Sequence, residues 1–392
     1  MKRFYSKFHA VLHAVDYQFV RSISDGIDWN GRLVGLTGTR GIGKTTLLLQ
    51  YIRGNLPIDE SVLYISMNSF CYTGFRLHDL VESFVKNGGE FLFIDDIHKY
   101  SGWVREILRI YDDFPHLHIV FVAFSLPELG IYQVPFSRKA MVYGLQGLSF
   151  REYLNKTAKT GFPAYRLEDI MRNHDALSHE ITAKIAVMPY FQQYLQQGYY
   201  PYPEPEQPPG HIEELLNTTI ETEFPLSFGV EPDYLLKMKR LFYILAGSAP
   251  CKPNVSELSR QLNITRVGLL NYLNVLNRAD ATIHLYRSMS GTKPFGKPDL
   301  IYLENPNLLY AFCADTGNLQ KTAETFFVNQ VRYMHEITLD GEGRFRIDNV
   351  FPFDVCNAAK KSASEKVFRA VDGIEHGNSD RDIPLWLFGF LY

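Results

Sequence analysis

The segment from Gly38 to Thr45 has the residue types and the spacing that a phosphate-binding loop requires. It reads GTRGIGKT and fits the pattern G-x-x-x-x-G-K-[ST] without a gap. Its glycines allow backbone N–H groups to turn toward the α- and β-phosphates of a nucleotide, and Lys44 can reach the β- and γ-phosphates. The Thr45 hydroxyl can ligate Mg²⁺. The predicted nucleotide-binding residues are Gly38, Thr39, Arg40, Gly41, Ile42, Gly43, Lys44, Thr45 and Thr46.

The segments on either side of this loop have the patterns of a strand and a helix. Residues 32–37 form a short apolar run of strand type, and residues 46–52 form the apolar opening of a helix. A helix N-terminus presents unpaired N–H groups and partial positive charge, which favours an anion. The alternative is an ordinary glycine turn, which these flanks disfavour.

A second apolar strand, downstream of the loop, ends in two carboxylates. Phe91 to Ile94 is followed directly by Asp95 and Asp96. By itself this pattern is common where any strand exits into a loop, but its position after a phosphate loop favours a Walker B segment. Asp95 can then hold Mg²⁺, and Asp96 can orient the attacking water. Many ATPases of this type carry Glu at the second position, and the shorter Asp96 predicts slower hydrolysis.

Two later residues are candidates to complete the site. Ser125 ends the apolar run 116–125, where a polar side chain can sense the γ-phosphate, although it could equally cap the next turn. Arg138 is a candidate cation for the γ-phosphate, in its own chain or in a neighbouring copy, because a guanidinium matches phosphate geometry. The alternative for Arg138 is a solvated surface arginine. The predicted catalytic residues are Lys44, Asp96, Ser125 and Arg138, and the predicted metal ligands are Thr45 and Asp95.

Composition limits the other possibilities. The 392 residues exceed the usual size of a single core, and the net charge of −3 excludes a globally basic nucleic-acid binder while allowing a local basic patch. No secretory signal follows Met1, and the longest apolar run, 383–392, is about half the ~20 residues that a membrane span needs. We therefore expect a cytoplasmic protein without membrane contact, in which this run is a buried C-terminal element. The four cysteines lack a C-x-x-C pair, which disfavours disulfides and structural zinc; they are Cys71, Cys251, Cys313 and Cys356.

Several segments together resemble a known family. The segments GTRGIGKTTLL from Gly38, FLFIDDIHKY from Phe91 and GLSFREYL from Gly147 resemble the archaeal and bacterial AAA+-type P-loop ATPases that carry a C-terminal domain of unknown function, and Bacteroidales-type members in particular. The similarity extends to segments near residues 197, 297, 324 and 384. It implies an AAA+ core, a helical lid, a winged helix and a restriction-nuclease-like C-terminal module, without implying a biological role.

The fold class we predict is α/β, with a parallel P-loop NTPase sheet followed by smaller modules. The expected divisions are an ATPase core at 1–155, a helical lid with a Pro-rich linker at 156–232, a winged helix at 233–305 and a degenerate α+β nuclease-like domain at 306–392. The lid follows from helical patterns over 167–197 and 211–222, which are separated by a run of prolines that cannot continue a helix.

The third division, 233–305, has the pattern of a helix-turn-helix followed by two strands. Helical patterns at 255–262 and 265–278 are joined by Asn263 and Ile264, and strand patterns follow at 282–286 and 299–303. From Cys251 to Leu303 there are seven Lys and Arg residues against three acids. Residues 254–303 are therefore a candidate DNA-binding surface, and a module that packs against protein is an equal alternative.

The last division carries carboxylates but lacks a complete nuclease pattern. Glu324, Asp348 and Asp354 could contribute to a metal site, but Cys356 occupies the position where a lysine is needed, and Lys360 and Lys361 come too late. We therefore expect no nuclease activity. A helix at Glu324 and a hairpin over 344–356 are the predicted elements here.

Two functions remain open from the sequence. The first is Mg²⁺-dependent ATP hydrolysis that rearranges the lid and the winged helix. The second is an ATP-loaded switch with negligible turnover that docks DNA, a protein partner or another copy of the chain. ATP is favoured over GTP because no Asn/Thr-Lys-x-Asp element follows the Walker B segment.

Overall fold

The structure, a computed structural model, divides the chain into two units. It describes residues 1–69, 76–126, 133–202, 210–287, 296–313, 319–340, 342, 344–358 and 366–392. The first unit comprises Met1–Gln146 and Thr222–Val230, and the second comprises Gly147–Glu221 and Glu231–Tyr392. The predicted division into four domains stays a prediction. Some residues discussed above lie outside the described ones, namely Cys71, Lys360, Lys361, most of the Pro-rich segment and residues 288–295 between the last two strands of the proposed winged helix.

The first unit alternates strands and helices, as the apolar runs predicted. The strands predicted from the apolar runs at 32–37, 91–94 and 116–125 are all present. Its elements are α1 (Lys2–Ala14), α2 (Ile23–Gly26), β1 (Leu33–Thr37), α3 (Lys44–Asn55), β2 (Val62–Ser66), α4 (Leu77–Lys86), β3 (Phe91–Asp95), α5 (Trp103–Asp113), β4 (His118–Ala123), α6 (Gln133–Lys139) and β5 (Met141–Gly144).

The five strands form one parallel sheet in the order β2-β3-β4-β1-β5. In β1, Gly35 pairs with Phe121 of β4 and with Val142 of β5. The strands of such a sheet are covered on both faces, which explains why β1, β2 and β4 are runs of buried apolar residues. Because all strands run in the same direction, their carboxyl ends meet at one edge. That edge carries both the glycine loop after β1 and the carboxylates at the end of β3.

The second unit begins with helices and ends with a mixed sheet. A capping box formed by Ser149 and Glu152 begins its first helix, within the segment GLSFREYL. Its elements, together with α11 of the first unit, are α7 (Phe150–Thr157), α8 (Leu167–Thr182), α9 (Val187–Gln193), a π-helix (Tyr194–Gly198), α10 (His211–Thr218), a π-helix (Thr219–Glu223), α11 (Phe224–Phe228), α12 (Pro232–Ser248), α13 (Val255–Leu262), α14 (Arg266–Arg278), β6 (Thr282–Leu285), β7 (Leu300–Leu303), α15 (Pro306–Phe312), α16 (Leu319–Val331), β8 (Ile337–Leu339), β9 (Phe345–Ile347), β10 (Phe351–Asn357), β11 (Phe368–Asp372), β12 (Asp382–Pro384) and a 3₁₀-helix (Leu385–Phe390).

The helices and strands predicted for 255–303 are present. The Asn254 side chain accepts a hydrogen bond from Glu257 N and so caps α13, while Thr265 caps α14 through Gly268 N. Asn263 ends α13 in the left-handed conformation, with φ of 49°. β6 and β7 pair antiparallel. The assignment of this region as a winged helix stays a prediction.

The C-terminal sheet has the order β12-β11-β10-β9-β8. β8, β9 and β10 pair antiparallel, which confirms the predicted hairpin, and β10, β11 and β12 pair parallel. The apolar run at the C-terminus is buried as predicted, and Trp386 within it is 1% exposed. None of the described helices has the length and apolar character that a membrane-spanning segment needs.

The carboxylates of the C-terminal region have local partners. Glu324 accepts a hydrogen bond from the Tyr302 hydroxyl at 3.1 Å, and Asp348 lies 2.7 Å from Nδ1 of His335. Within the described part of the chain, no group of three or more His, Cys, Asp and Glu side chains is placed to hold a metal ion. The expectation of no nuclease activity stays a prediction, because Lys360 and Lys361 lie outside the described residues.

A partly buried histidine in the second unit gives a pH-dependent stability. Burial lowers the pKa of His284 to about 4, and the Arg332 guanidinium adds to that shift. In the unfolded chain a histidine titrates near pH 6.5, so between pH 6.5 and 4 the unfolded state binds the proton and the folded state does not. The free energy of unfolding therefore falls as the pH falls through this window.

We expect the free energy of unfolding of the parent protein to fall by about 2 kcal/mol between pH 7 and pH 4.5 because of His284. The His284→Gln variant should lack this part of the decrease. Urea unfolding of the parent and the variant at pH 7, 6, 5 and 4.5 measures this difference. His179→Gln is the matched control, because that side chain is 61% exposed. Parallel stability curves for parent and His284→Gln would contradict the prediction.

Candidate nucleotide-binding site

The glycines of the phosphate loop have the backbone geometry that the motif predicts. Gly43 adopts φ of 89° and directly precedes α3. A Cβ on Gly38 would lie 2.4 Å from the carbonyl oxygen of Leu145, so a larger residue would displace the backbone. Gly38 N also donates a hydrogen bond to Phe124 O at 3.1 Å, which ties the start of the loop to the end of β4. The loop is therefore held against the sheet edge with its shape defined by glycine.

Lys44 extends over the backbone of this loop. Its Nζ donates to the carbonyl oxygens of Gly38 and Thr39, each at 2.6 Å. Burial lowers the pKa of Lys44 to about 8, and Asp96 and Asp95 oppose that shift. A lysine folded over the loop is placed where the motif requires a contact with phosphates.

Thr45 lies in the first turn of α3, after β1, and Asp95 ends β3. The two residues are brought together although β4 lies between β1 and β3 in the sheet. Oγ1 of Thr45 donates to Oδ2 of Asp95 at 2.7 Å, and the Tyr64 hydroxyl donates to the same oxygen at 2.9 Å. Asp95 is 3% exposed, and its burial raises the pKa of the carboxyl, with Asp96 adding to the effect. A hydroxyl and a carboxylate are hard oxygen ligands, the type that Mg²⁺ takes. The pair thus fits the predicted metal role, with Tyr64 orienting the carboxylate.

Asp96 is held by two residues that the sequence analysis did not identify. Its backbone is left-handed, with φ of 54°. Nδ2 of Asn68 donates to Oδ2 of Asp96, and Nζ of Lys99 donates to Oδ1 of Asn68 while lying 3.9 Å from the Asp96 carboxylate. Asn68 follows β2, the strand beside β3. The sequence signal that could have identified Asn68 is a polar residue just after the strand that neighbours β3.

The roles predicted for Ser125 and Arg138 stay predictions. Oγ of Ser125 is buried and has no hydrogen-bond partner among the described residues, which leaves it available at the end of β4. Arg138 is exposed on α6 and forms no ion pair with any described residue. No described contact links Arg138 to the phosphate loop.

Arg21 supports the loop, and the sequence carried no signal for it. The side chain is 6% exposed, and its Nη1 donates to Ile42 O at 3.2 Å and to Gln146 O at 2.8 Å. Arg21 therefore fixes a loop carbonyl from outside the motif.

A carboxylate from a distant part of the chain lies beside the loop. Glu223, in the segment 222–230 of the first unit, is 2% exposed. One of its oxygens lies 3.3 Å from Nη1 of Arg40 and 3.9 Å from Nζ of Lys99, and the other lies 2.5 Å from Nε2 of His98. Burial acts to raise the pKa of the Glu223 carboxyl, but the hydrogen bond from His98 and the attraction of the neighbouring cationic groups together outweigh burial and lower it. Nothing in the local sequence pairs Glu223 with a loop more than 180 residues away.

The parallel sheet, the glycine loop and the Thr45–Asp95 pair define an α/β fold of the P-loop NTPase class. Residues 30–154 match the family model described as an AAA domain, which covers the loop and both carboxylates. Among the curated proteins, no match to the chain is found.

Three solved structures show a weak similarity to the chain. PCH-2 from C. elegans is 17% identical, with a TM-score of 0.26, and the match covers 70% of this chain and 66% of that one. AMPPCP-bound DnaA from Aquifex aeolicus is 14% identical, with a TM-score of 0.25 and coverages of 65% and 84%. A DNA replication initiation factor is 12% identical, with a TM-score of 0.25 and coverages of 67% and 84%.

Proposed function

We propose that the chain binds ATP with Mg²⁺ and hydrolyses it. The observation that carries this proposal is the 2.7 Å hydrogen bond between Thr45 and Asp95, next to a lysine folded over a glycine loop. In a P-loop site these two side chains hold the metal ion, and the lysine contacts the β- and γ-phosphates. The match of residues 30–154 to an AAA domain supports the same chemistry.

Each residue of the site has its own proposed role in phosphoryl transfer. Thr45 and Asp95 hold Mg²⁺, which neutralises charge that develops on the phosphates. Asp96 orients the attacking water, and its position is set by Asn68. Ser125 and Arg138 are the proposed sensor and the proposed cation for the γ-phosphate, the latter in its own chain or a neighbouring copy. Such a site acts through positioning and charge stabilisation, without a covalent intermediate.

We expect Asp96→Asn to lower kcat for ATP about a hundredfold while the Kd for ATP stays within about threefold of the parent, because the neutral amide lacks the charge with which Asp96 orients the attacking water. Steady-state phosphate release and equilibrium binding of ATP with Mg²⁺ measure the two quantities. Asp112→Asn is the matched control, since that exposed carboxylate pairs with Lys139 at 2.6 Å. A variant with parental turnover would remove Asp96 from the mechanism.

The second candidate function is an ATP-loaded switch with negligible turnover. The observation that favours it is the short Asp96 side chain, which is already bound by Asn68. Tight binding of ATP by the parent protein together with phosphate release at the buffer rate would support the switch over the hydrolase.

DNA is one proposed partner of either function, through a winged helix at 254–303. Arg260 and Arg266 are exposed there, and Asn271 is exposed on α14. Asn277, in contrast, is occupied within the unit, because its Oδ1 accepts a hydrogen bond from His284 N at 3.0 Å. A protein partner or self-assembly is the alternative. Duplex binding that weakens as salt rises, and that responds to ATP, would favour DNA.

A further inference from the structure

Glu223 is a buried carboxylate whose partners are cationic or neutral donors of the nucleotide site. His98 is 7% exposed, and its Nδ1 accepts a hydrogen bond from Phe124 N at 3.2 Å. Nδ1 therefore carries a lone pair, and Nε2 carries the hydrogen that is donated to Glu223 at 2.5 Å. The neutral imidazole leaves the charge of Glu223 to be balanced by Arg40 and Lys99.

The Arg40 side chain belongs to the phosphate loop and is 43% exposed, whereas Glu223 is fixed by burial. Both groups act electrostatically on Lys44: Glu223 raises its pKa and Arg40 lowers it. The pair therefore lies within electrostatic reach of the lysine that is expected to contact the β- and γ-phosphates. A guanidinium binds a carboxylate and a phosphate with the same planar set of donors, so the two anions compete for it.

We propose that Arg40 is a ligand for the terminal phosphate of ATP, and that it exchanges Glu223 for that phosphate when ATP binds. Glu223 is then a positioning residue that holds the guanidinium beside the loop in the nucleotide-free protein. Because ADP lacks the terminal phosphate, the exchange favours ATP over ADP. This inference rests on the proposed function of the site.

The test is the ratio of the Kd for ADP to the Kd for a non-hydrolysable ATP analogue, both with Mg²⁺, in the full chain. Arg40→Gln is expected to weaken the analogue about tenfold, because a charge-assisted contact is lost, and to leave ADP within about twofold. Arg40→Lys is expected to recover part of the loss, since it restores the charge without the planar fork. Glu223→Gln is expected to tighten the analogue about tenfold, because the competing anion is removed.

The double variant Arg40→Gln/Glu223→Gln separates this exchange from a simple charge effect. It is expected to bind both nucleotides as Arg40→Gln does, because without Arg40 there is no guanidinium that Glu223 could keep from the terminal phosphate. Glu221→Gln is the matched control: that glutamate is 51% exposed, pairs with Lys239, and should leave both constants unchanged. Thermal unfolding checks that the buried substitution leaves the fold intact, and the exposed Arg40 variants test the inference independently.

Failure of the proposed function and failure of the exchange between Arg40 and Glu223 give different results. If the parent protein binds neither nucleotide, the proposed function is wrong and this inference falls with it. If the parent binds both nucleotides and the ratio is unchanged in Arg40→Gln, or if Glu223→Gln tightens the analogue equally with and without Arg40, the exchange is wrong while the proposed function stands.

Discussion

Lys44→Ala is expected to raise the Kd for ATP with Mg²⁺ about a hundredfold and to reduce phosphate release to background. The lysine is folded over the phosphate loop by hydrogen bonds of 2.6 Å to Gly38 O and Thr39 O, so its ammonium is already placed for the phosphates. Its loss removes a charge-assisted contact to the β- and γ-phosphates in a partly buried site, where such contacts are strong. Isothermal titration and steady-state phosphate release measure the two effects.

The matched control is Lys86→Ala, which removes an exposed lysine that pairs with Glu82. Both variants should retain the unfolding midpoint of the parent within a few degrees. If Lys44→Ala kept parental ATP turnover, the assignment of the loop as the nucleotide site would be wrong.

Arg332→Met is expected to lower the free energy of unfolding by about 3 kcal/mol, because removal of one member of a buried ion pair leaves the other without compensation. Nη2 of Arg332 lies 2.7 Å from one oxygen of Glu304 and 2.9 Å from Asp280. Glu304 is 1% exposed, and burial raises the pKa of its carboxyl, while the Arg332 guanidinium opposes that shift by favouring the charged carboxylate. Urea unfolding at pH 7 measures the loss.

Arg344→Met provides the comparison for this second variant. Arg344 also contacts two carboxylates, Asp340 and Glu342 at 2.9 Å each. Asp340 is 9% exposed, but Arg344 is 32% exposed against 17% for Arg332, and Glu342 is 74% exposed. Its replacement should cost less than about 1 kcal/mol, since water screens such pairs. Adding Glu304→Gln to Arg332→Met should recover part of the lost stability, and equal losses for the two arginine variants would contradict the burial argument.

Local patterns predicted the core elements because those elements depend on neighbouring residues. The strands of the first unit are continuous apolar runs since both faces of the sheet are covered, and α13 ends where its pattern ends. The phosphate loop is equally local. Its glycines, Lys44 and Thr45 lie within eight consecutive residues, so the motif contains the whole geometry.

The partners of Asp95 and Asp96 were only partly predictable. The parallel sheet places the ends of its strands at one edge, which was enough to expect Thr45 near Asp95. Tyr64 and Asn68 can donate hydrogen bonds to these carboxylates only because β2 lies next to β3. The order of strands in a sheet cannot be predicted from the sequence of any single segment.

The amino-acid sequence by itself determined the phosphate loop, the carboxylates that follow β3 and the parallel class of the sheet, because each arises from contacts between residues close in the chain or from the period of a single element. The tertiary structure alone decided that Glu223 reaches Arg40 and His98, that Arg21 supports the loop, and that Glu304 pairs with Arg332. These contacts join residues far apart in sequence. Their energies come from burial, which lowers the dielectric around a charge and requires that it be paired.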